Sequence, residues 1–213
     1  MRRPEAARRS CARAAVWFAG LAALALLATG CQRLHPTDMR PLDQAGMWFA
    51  SIEELRKLAI TDAEVAQLSR ARQAGISDQA CVELLRIARA RKQPFSSGEA
   101  AAGLRQVGVS ESTILVLARL NQLGLWSGES QAMHLAGLSD RIVLAVARRH
   151  AAGQEVPSGS SLAKLRDAGM TEAELIALID GGTSDQQAQA MLETHRRTVS
   201  RTGFVRYQRR RRR

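Results

Sequence analysis

The sequence predicts an all-α protein of tandem short helix-turn-helix repeats, about 30 residues each, packed as an α-helical bundle or solenoid. Three observations carry that expectation. Apolar residues make up 46% of the 213-residue chain but aromatic ones only 4%. The core must therefore be Ala, Leu, Val and Ile, a mixture that suits helices better than sheets. A five-residue phrase also recurs, as Ala74-Gly75-Ile76-Ser77-Asp78, Val107-Gly108-Val109-Ser110-Glu111, Ala136-Gly137-Leu138-Ser139-Asp140 and Ala168-Gly169-Met170-Thr171-Glu172, with its glycines 33, 29 and 32 residues apart. Finally, the alternating pattern of a half-buried strand is absent, and helical periodicity follows every phrase.

Each part of the phrase has a mechanical task. Glycine takes the left-handed conformation that ends a helix. Ser or Thr two places on is the preferred N-cap of the next helix, and the acid after it favours the positive end of that helix's dipole. The residue between is apolar and staples the two helices. Thr61…Glu64 and Thr171…Glu174 have the spacing of capping boxes. Ala59-Ile60-Thr61-Asp62 is a fainter relative of the phrase without its glycine.

The helices that follow match one another. Counted from each glycine, places +6, +7, +9 and +10 read Cys81-Val82-Leu84-Leu85, Ile114-Leu115-Leu117-Ala118, Val143-Leu144-Val146-Ala147 and Leu175-Ile176-Leu178-Ile179. All are apolar, and the stripe is wide enough for burial against more than one neighbour. Arg86, Arg119 and Arg148 stand at +11, expected near helix C-termini, where a cation is favourable; Asp180 breaks the series. Between units, Phe95-Ser96-Ser97-Gly98, Trp126-Ser127-Gly128 and Val156-Pro157-Ser158-Gly159 each read as an apolar plug and a Ser-Gly helix start, opening a short helix before each longer one. The repeat domain is expected over 51–182. A C-terminal helix capped by Ser184 should follow over 183–198, with Ala188, Met191, Leu192 and His195 along one side.

The net charge of +11 sits at the ends: +4 falls on 1–30 and +9 on 194–213, leaving −2 for the body between. The basic tail, 199–213, cannot fold alone, because its like charges repel and it has little to bury. Arg206, Arg209, Arg210, Arg211, Arg212 and Arg213 are its candidate contacts to an anionic partner.

At the other end, Arg2, Arg3, Arg8, Arg9 and Arg13 precede an uncharged run from Ala14 to Gln32, the layout of a secretory leader over 1–30. The run closes on Leu27-Ala28-Thr29-Gly30-Cys31. This resembles the lipobox of bacterial lipoproteins, with the family's usual leucine one place early and Ala28 at the third position before the cysteine. The resemblance covers residues 1–31 only and implies that Cys31 is acylated and begins the mature chain. Several acyl chains on one residue meet the two-signal requirement for stable anchoring. Gln32 in place of Asp implies, in a two-membrane cell, an outer-membrane anchor facing the periplasm; the inner membrane is the alternative. Residues 31–50 read as a flexible tether, with Pro36, Pro41 and Gly46 as breakers and with Trp48 and Phe49 docking onto the first helix. An uncleaved membrane anchor is the competing reading of the leader, since the run is at the edge of spanning length.

No catalytic constellation emerges, so the expectation is not an enzyme and no cofactor. Cys81 fills a repeat place held elsewhere by Ile114, Val143 and Leu175, which reads as a buried small hydrophobe. Ser161-Leu162-Ala163-Lys164 satisfies S-x-x-K, but the companion S-D-N and K-T-G motifs are missing. His35, His134, His150 and His195 lack metal-ligand spacing. The phrases also look like the turn of a DNA-reading helix-turn-helix. However, Asp78, Glu111, Asp140 and Glu172 would face phosphates where a recognition helix needs polar or basic contacts.

The sequence thus points to a membrane-anchored envelope lipoprotein with a non-catalytic interaction or scaffold module. Its expected partners are the membrane, through the lipid on Cys31, and an envelope protein or anionic polymer. Nucleic acid is disfavoured and no small-molecule substrate is implied. The alternative is a cytosolic nucleic-acid-binding protein that uses the turn phrases or the arginine tail.

Overall fold

A computed structural model describes residues 37–194, and the packed unit begins at Asp38. The expected lipidation residue, Cys31, and the arginines at 206 and 209–213 lie outside the described residues, as do His35 and His195.

Among the described residues every regular element is helical. The helices are α1 (Arg40–Gln44), α2 (Phe49–Lys57), α3 (Asp62–Gln73), α4 (Asp78–Ala90), α5 (Gly98–Gln106), α6 (Glu111–Arg119), α7 (Ser127–Leu135), α8 (Asp140–Ala151), α9 (Gly159–Asp167) and α10 (Glu172–Asp180). An eleventh, α11, covers 185–194 of what is described. Each helix packs on the next but one. The odd-numbered helices therefore form one layer and the even-numbered ones a second, the arrangement of a helical repeat stack.

Two ladders of left-handed residues make the turns. Gly46, Gly75, Gly108, Gly137 and Gly169 turn the chain from the odd layer to the even one, at intervals of 29, 33, 29 and 32 residues. Ala59, Lys92, Asn121, Gly153 and Gly182 return it, at 33, 29, 32 and 29. Both kinds of turn close with the same bond from three residues past the helix back into it, as in Ile76 N–H to the Ala71 carbonyl (3.2 Å) and Gln93 N–H to the Ala88 carbonyl (3.0 Å). Ala59 thus belongs to the returning ladder, not to the glycine phrase it resembles.

The core follows the repeat. Of the sixteen apolar places named above, eleven are buried, and Leu115, Ala118, Leu144, Ile176 and Leu178 pack against them. Both capping boxes form. Ser77, Ser110 and Ser158 also cap their helices, whereas Ser139 makes no side-chain cap bond.

Several expectations are corrected. The stretch expected as tether up to residue 50 is folded from Asp38. Pro41 is tolerated in the first turn of α1, where its missing N–H is no loss, and Met39, Leu42 and Met47 are buried. Gly46 therefore ends a helix and opens a fifth copy of the phrase. Trp48 and Phe49 do not dock: they are 74% and 72% exposed. Arg86 sits mid-helix and pairs with Glu54 of the preceding unit, not with its own helix end. Helix lengths do not alternate short and long throughout, since α5 and α6 have nine residues each. The C-terminal helix expected after Ser184 does form over the described residues, with Ser184 accepting from the Gln187 N–H, and it continues the odd layer: Asp185 accepts from Ser158 of the turn before α9, and Ala188 and Leu192 are buried.

Candidate functional site

The acid that closes each phrase does not serve only its own helix. Glu111 accepts from the Ser77 N–H (2.9 Å) and hydroxyl (2.7 Å), one unit earlier. Asp140 accepts from the Ser110 N–H (3.0 Å) and the Thr113 hydroxyl (3.0 Å), and Asp78 from the Trp48 N–H (2.8 Å). Each carboxylate thus satisfies a donor that the preceding helix N-terminus leaves orphaned. The ladder breaks once. Glu172 is held by Arg141 (3.1 Å) instead of reaching Ser139. Burial alone would raise the Asp140 pKa, but the Ser110 and Thr113 hydrogen bonds and the nearby His134 ring outweigh it and lower it.

A second node is Glu64, 1% exposed. It caps α3 at Thr61 and accepts from both terminal guanidinium nitrogens of Arg89 (2.7 and 2.6 Å) and from the Phe95 N–H (2.9 Å). Arg89 also donates to the Leu58 and Ala59 carbonyls. Burial opposes ionisation, yet Arg89 and the backbone donors hold the Glu64 carboxyl down at about 2. The pair is a fully satisfied structural clamp between two units.

The residues weighed for chemistry are spent on structure. Cys81 is fully buried, and burial, reinforced by the charge of Asp78, pushes its thiol up to about 12, far from a nucleophile's range. Ser161 is buried in the first turn of α9, its N–H on the Ser158 hydroxyl (3.2 Å) and its own hydroxyl beside Asp185, while Lys164 is exposed. The S-x-x-K spacing therefore brings no lysine to that serine. His134 lies 3.5 Å from Asp140, and His150 meets Gln122 (3.0 Å) and tilts against Trp126. No group of His, Cys, Asp or Glu fit to hold a metal occurs among the described residues. None of their helices is long and apolar enough to cross a membrane.

What remains is surface. A shallow groove between α4 and α6 is lined by Ser77, Glu83, Arg86, Glu111, Leu115 and Arg119. Its charges are tied across units, with Glu83 bridging to Arg119 (2.9 Å) and Arg86 to Glu54. Sequence reasoning missed these cross-unit pairs, because their partners stand 32 and 36 residues apart. The fold and this surface define a helical-repeat protein. No protein-family model, no curated protein and no solved structure matches the chain.

Proposed function

We propose that this chain is an envelope lipoprotein, acylated at Cys31, whose helical repeats act as a non-catalytic interaction or scaffold module in the periplasm. The observation that carries the reading is the sequence Leu27-Ala28-Thr29-Gly30-Cys31 at the end of a basic-then-apolar leader, only seven residues before packed structure begins. The remaining chemistry is in keeping with it. The thiol, the serine and the buried carboxylate that a catalytic site would call on are committed to packing. The groove between α4 and α6 is what this reading would use as a docking face.

In this reading the outer membrane holds the acyl chains and the arginine tail meets an anionic partner. Near an acidic surface each arginine contributes about 1 kcal/mol. The nucleic-acid alternative has less support. The acids of the turn phrases would face phosphates, and three of them already accept from the neighbouring unit.

Metabolic labelling with a fatty acid tests the anchor. The wild-type chain takes up label and the Cys31→Ser variant does not. An unlabelled wild type overturns the proposal. Salt-sensitive DNA binding that survives deletion of the tail would favour the alternative instead.

A further inference from the structure

The first copy of the turn phrase departs from the others at two adjacent places. Where later units have Ser77-Asp78, Ser110-Glu111, Ser139-Asp140 and Thr171-Glu172, the first has Trp48-Phe49. The loss of the acid has a simple cause: among the described residues no earlier unit offers a helix start to reach back to. The gain of two aromatic rings has no such cause within the fold. Trp48 is the N-cap of α2 but makes no side-chain cap bond. Giving up a Ser or Thr cap weakens the helix start, and rings that are 74% and 72% exposed return little by burial. The backbone beneath them is nevertheless fixed, because the Trp48 N–H donates to Asp78 at 2.8 Å.

Position says what covers them. Asp38, where packed structure begins, is seven residues past Cys31. Seven residues span at most about 25 Å fully extended. An anchor at Cys31 therefore keeps this end of the repeat stack beside the bilayer, and the arginine tail follows α11 at the other end.

We infer that Trp48 and Phe49 form a membrane-contact site that inserts into the headgroup layer of the bilayer to which the chain is anchored. The inference rests on the membrane-anchored reading above. The chemistry suits the place: an indole has a large apolar body and one N–H donor, and tryptophan concentrates where hydrocarbon meets water. The contact would also orient the repeat stack, since an anchor at a single point does not by itself set its orientation.

The test uses the full acylated protein in phosphatidylcholine–phosphatidylglycerol vesicles, with lipids brominated near the glycerol end of their acyl chains. Trp126→Phe leaves Trp48 as the one tryptophan of the mature chain. Trp126→Phe with Trp48→Phe is the blank, which also subtracts Trp17 should the leader be retained. Circular dichroism checks that both variants keep their helices. The Trp48 emission is expected to shift to shorter wavelength and to lose intensity as brominated lipid replaces ordinary lipid. Emission unchanged by bromine overturns the inference, and does so equally if the protein self-associates with concentration, which would assign the rings to a second copy. The mass of the N-terminal peptide reports acylation separately. An acylated chain with unquenched Trp48 sinks the contact alone, and a chain neither acylated nor vesicle-bound sinks both readings.

Discussion

Glu111 and Ser77 are 34 residues apart, yet the Glu111 carboxylate closes the N-terminus of the helix that Ser77 begins, at 2.9 Å to the N–H and 2.7 Å to the hydroxyl. A charged acceptor in one unit thereby completes the cap of the unit before it. The same relation joins Asp140 to Ser110 and Asp185 to Ser158. These bonds couple the folding of successive units, because neither cap is complete until its neighbour is in place.

Glu111→Ala is expected to lower stability by about 1–2 kcal/mol, the scale of a charge-assisted hydrogen bond whose donors lose their partner. Glu172→Ala, which removes only a bridge to the exposed Arg141, should cost no more than about 0.5 kcal/mol. Urea midpoints of the two variants give the comparison, and equal losses would refute the ladder.

The Glu64–Arg89 pair should dominate the acid limb of stability. The Glu64 carboxyl is held at about 2, below its ordinary 4.5. Its contribution is therefore fully present above 4.5 and fades as pH falls from there through 2. It amounts to roughly 3 kcal/mol by linkage. Glu64→Gln should flatten the fall in urea midpoint between pH 6 and about pH 3 relative to wild type. Glu64→Ala at neutral pH should cost about 3–5 kcal/mol, because it leaves Arg89 without its charge partner.

Cys81 should behave as a hydrophobe. Ellman's reagent at neutral pH is expected to leave the folded protein unmodified and to react once denaturant opens it. Cys81→Val, which installs a residue that Val143 already provides at the same repeat place, should cost less than about 1.5 kcal/mol. Rapid labelling of the native thiol would contradict its burial.

Left-handed positions should respond with opposite signs. Gly75 has φ +88 and open space where a Cβ would stand, so Gly75→Ala is disfavoured by backbone strain alone, by about 1 kcal/mol. Ala59 already occupies such a conformation at φ 50. Ala59→Gly should relieve it and be neutral to stabilising by up to about 1 kcal/mol. Thermal midpoints that move the same way in both variants would count against this account of the turns.

Where helices meet at the four glycine phrases, which places after them are apolar and how long the repeat is can be read from the chain before it folds. These are local matters: glycine's freedom at positive φ, the reach of a Ser or Thr oxygen to its own helix, and the spacing of Leu, Val and Ile along one face. What Glu111, Asp140 and Arg86 bind is not legible, since their partners lie in another unit and depend on the register of stacked helices. Nor is the start of folding at Asp38, where Met39, Leu42 and Met47 are buried because α1 packs on α2 and α3. Gly98 shows the distinction in one residue. As a letter it reads as a helix start, but a Cβ there would lie 2.1 Å from the Gln67 carbonyl oxygen, so the closeness of α5 to α3 is what requires it. Trp48 and Phe49 are the converse case. Their types predict burial, and their place at the edge of the first described unit leaves them exposed, because none of the described helices covers them.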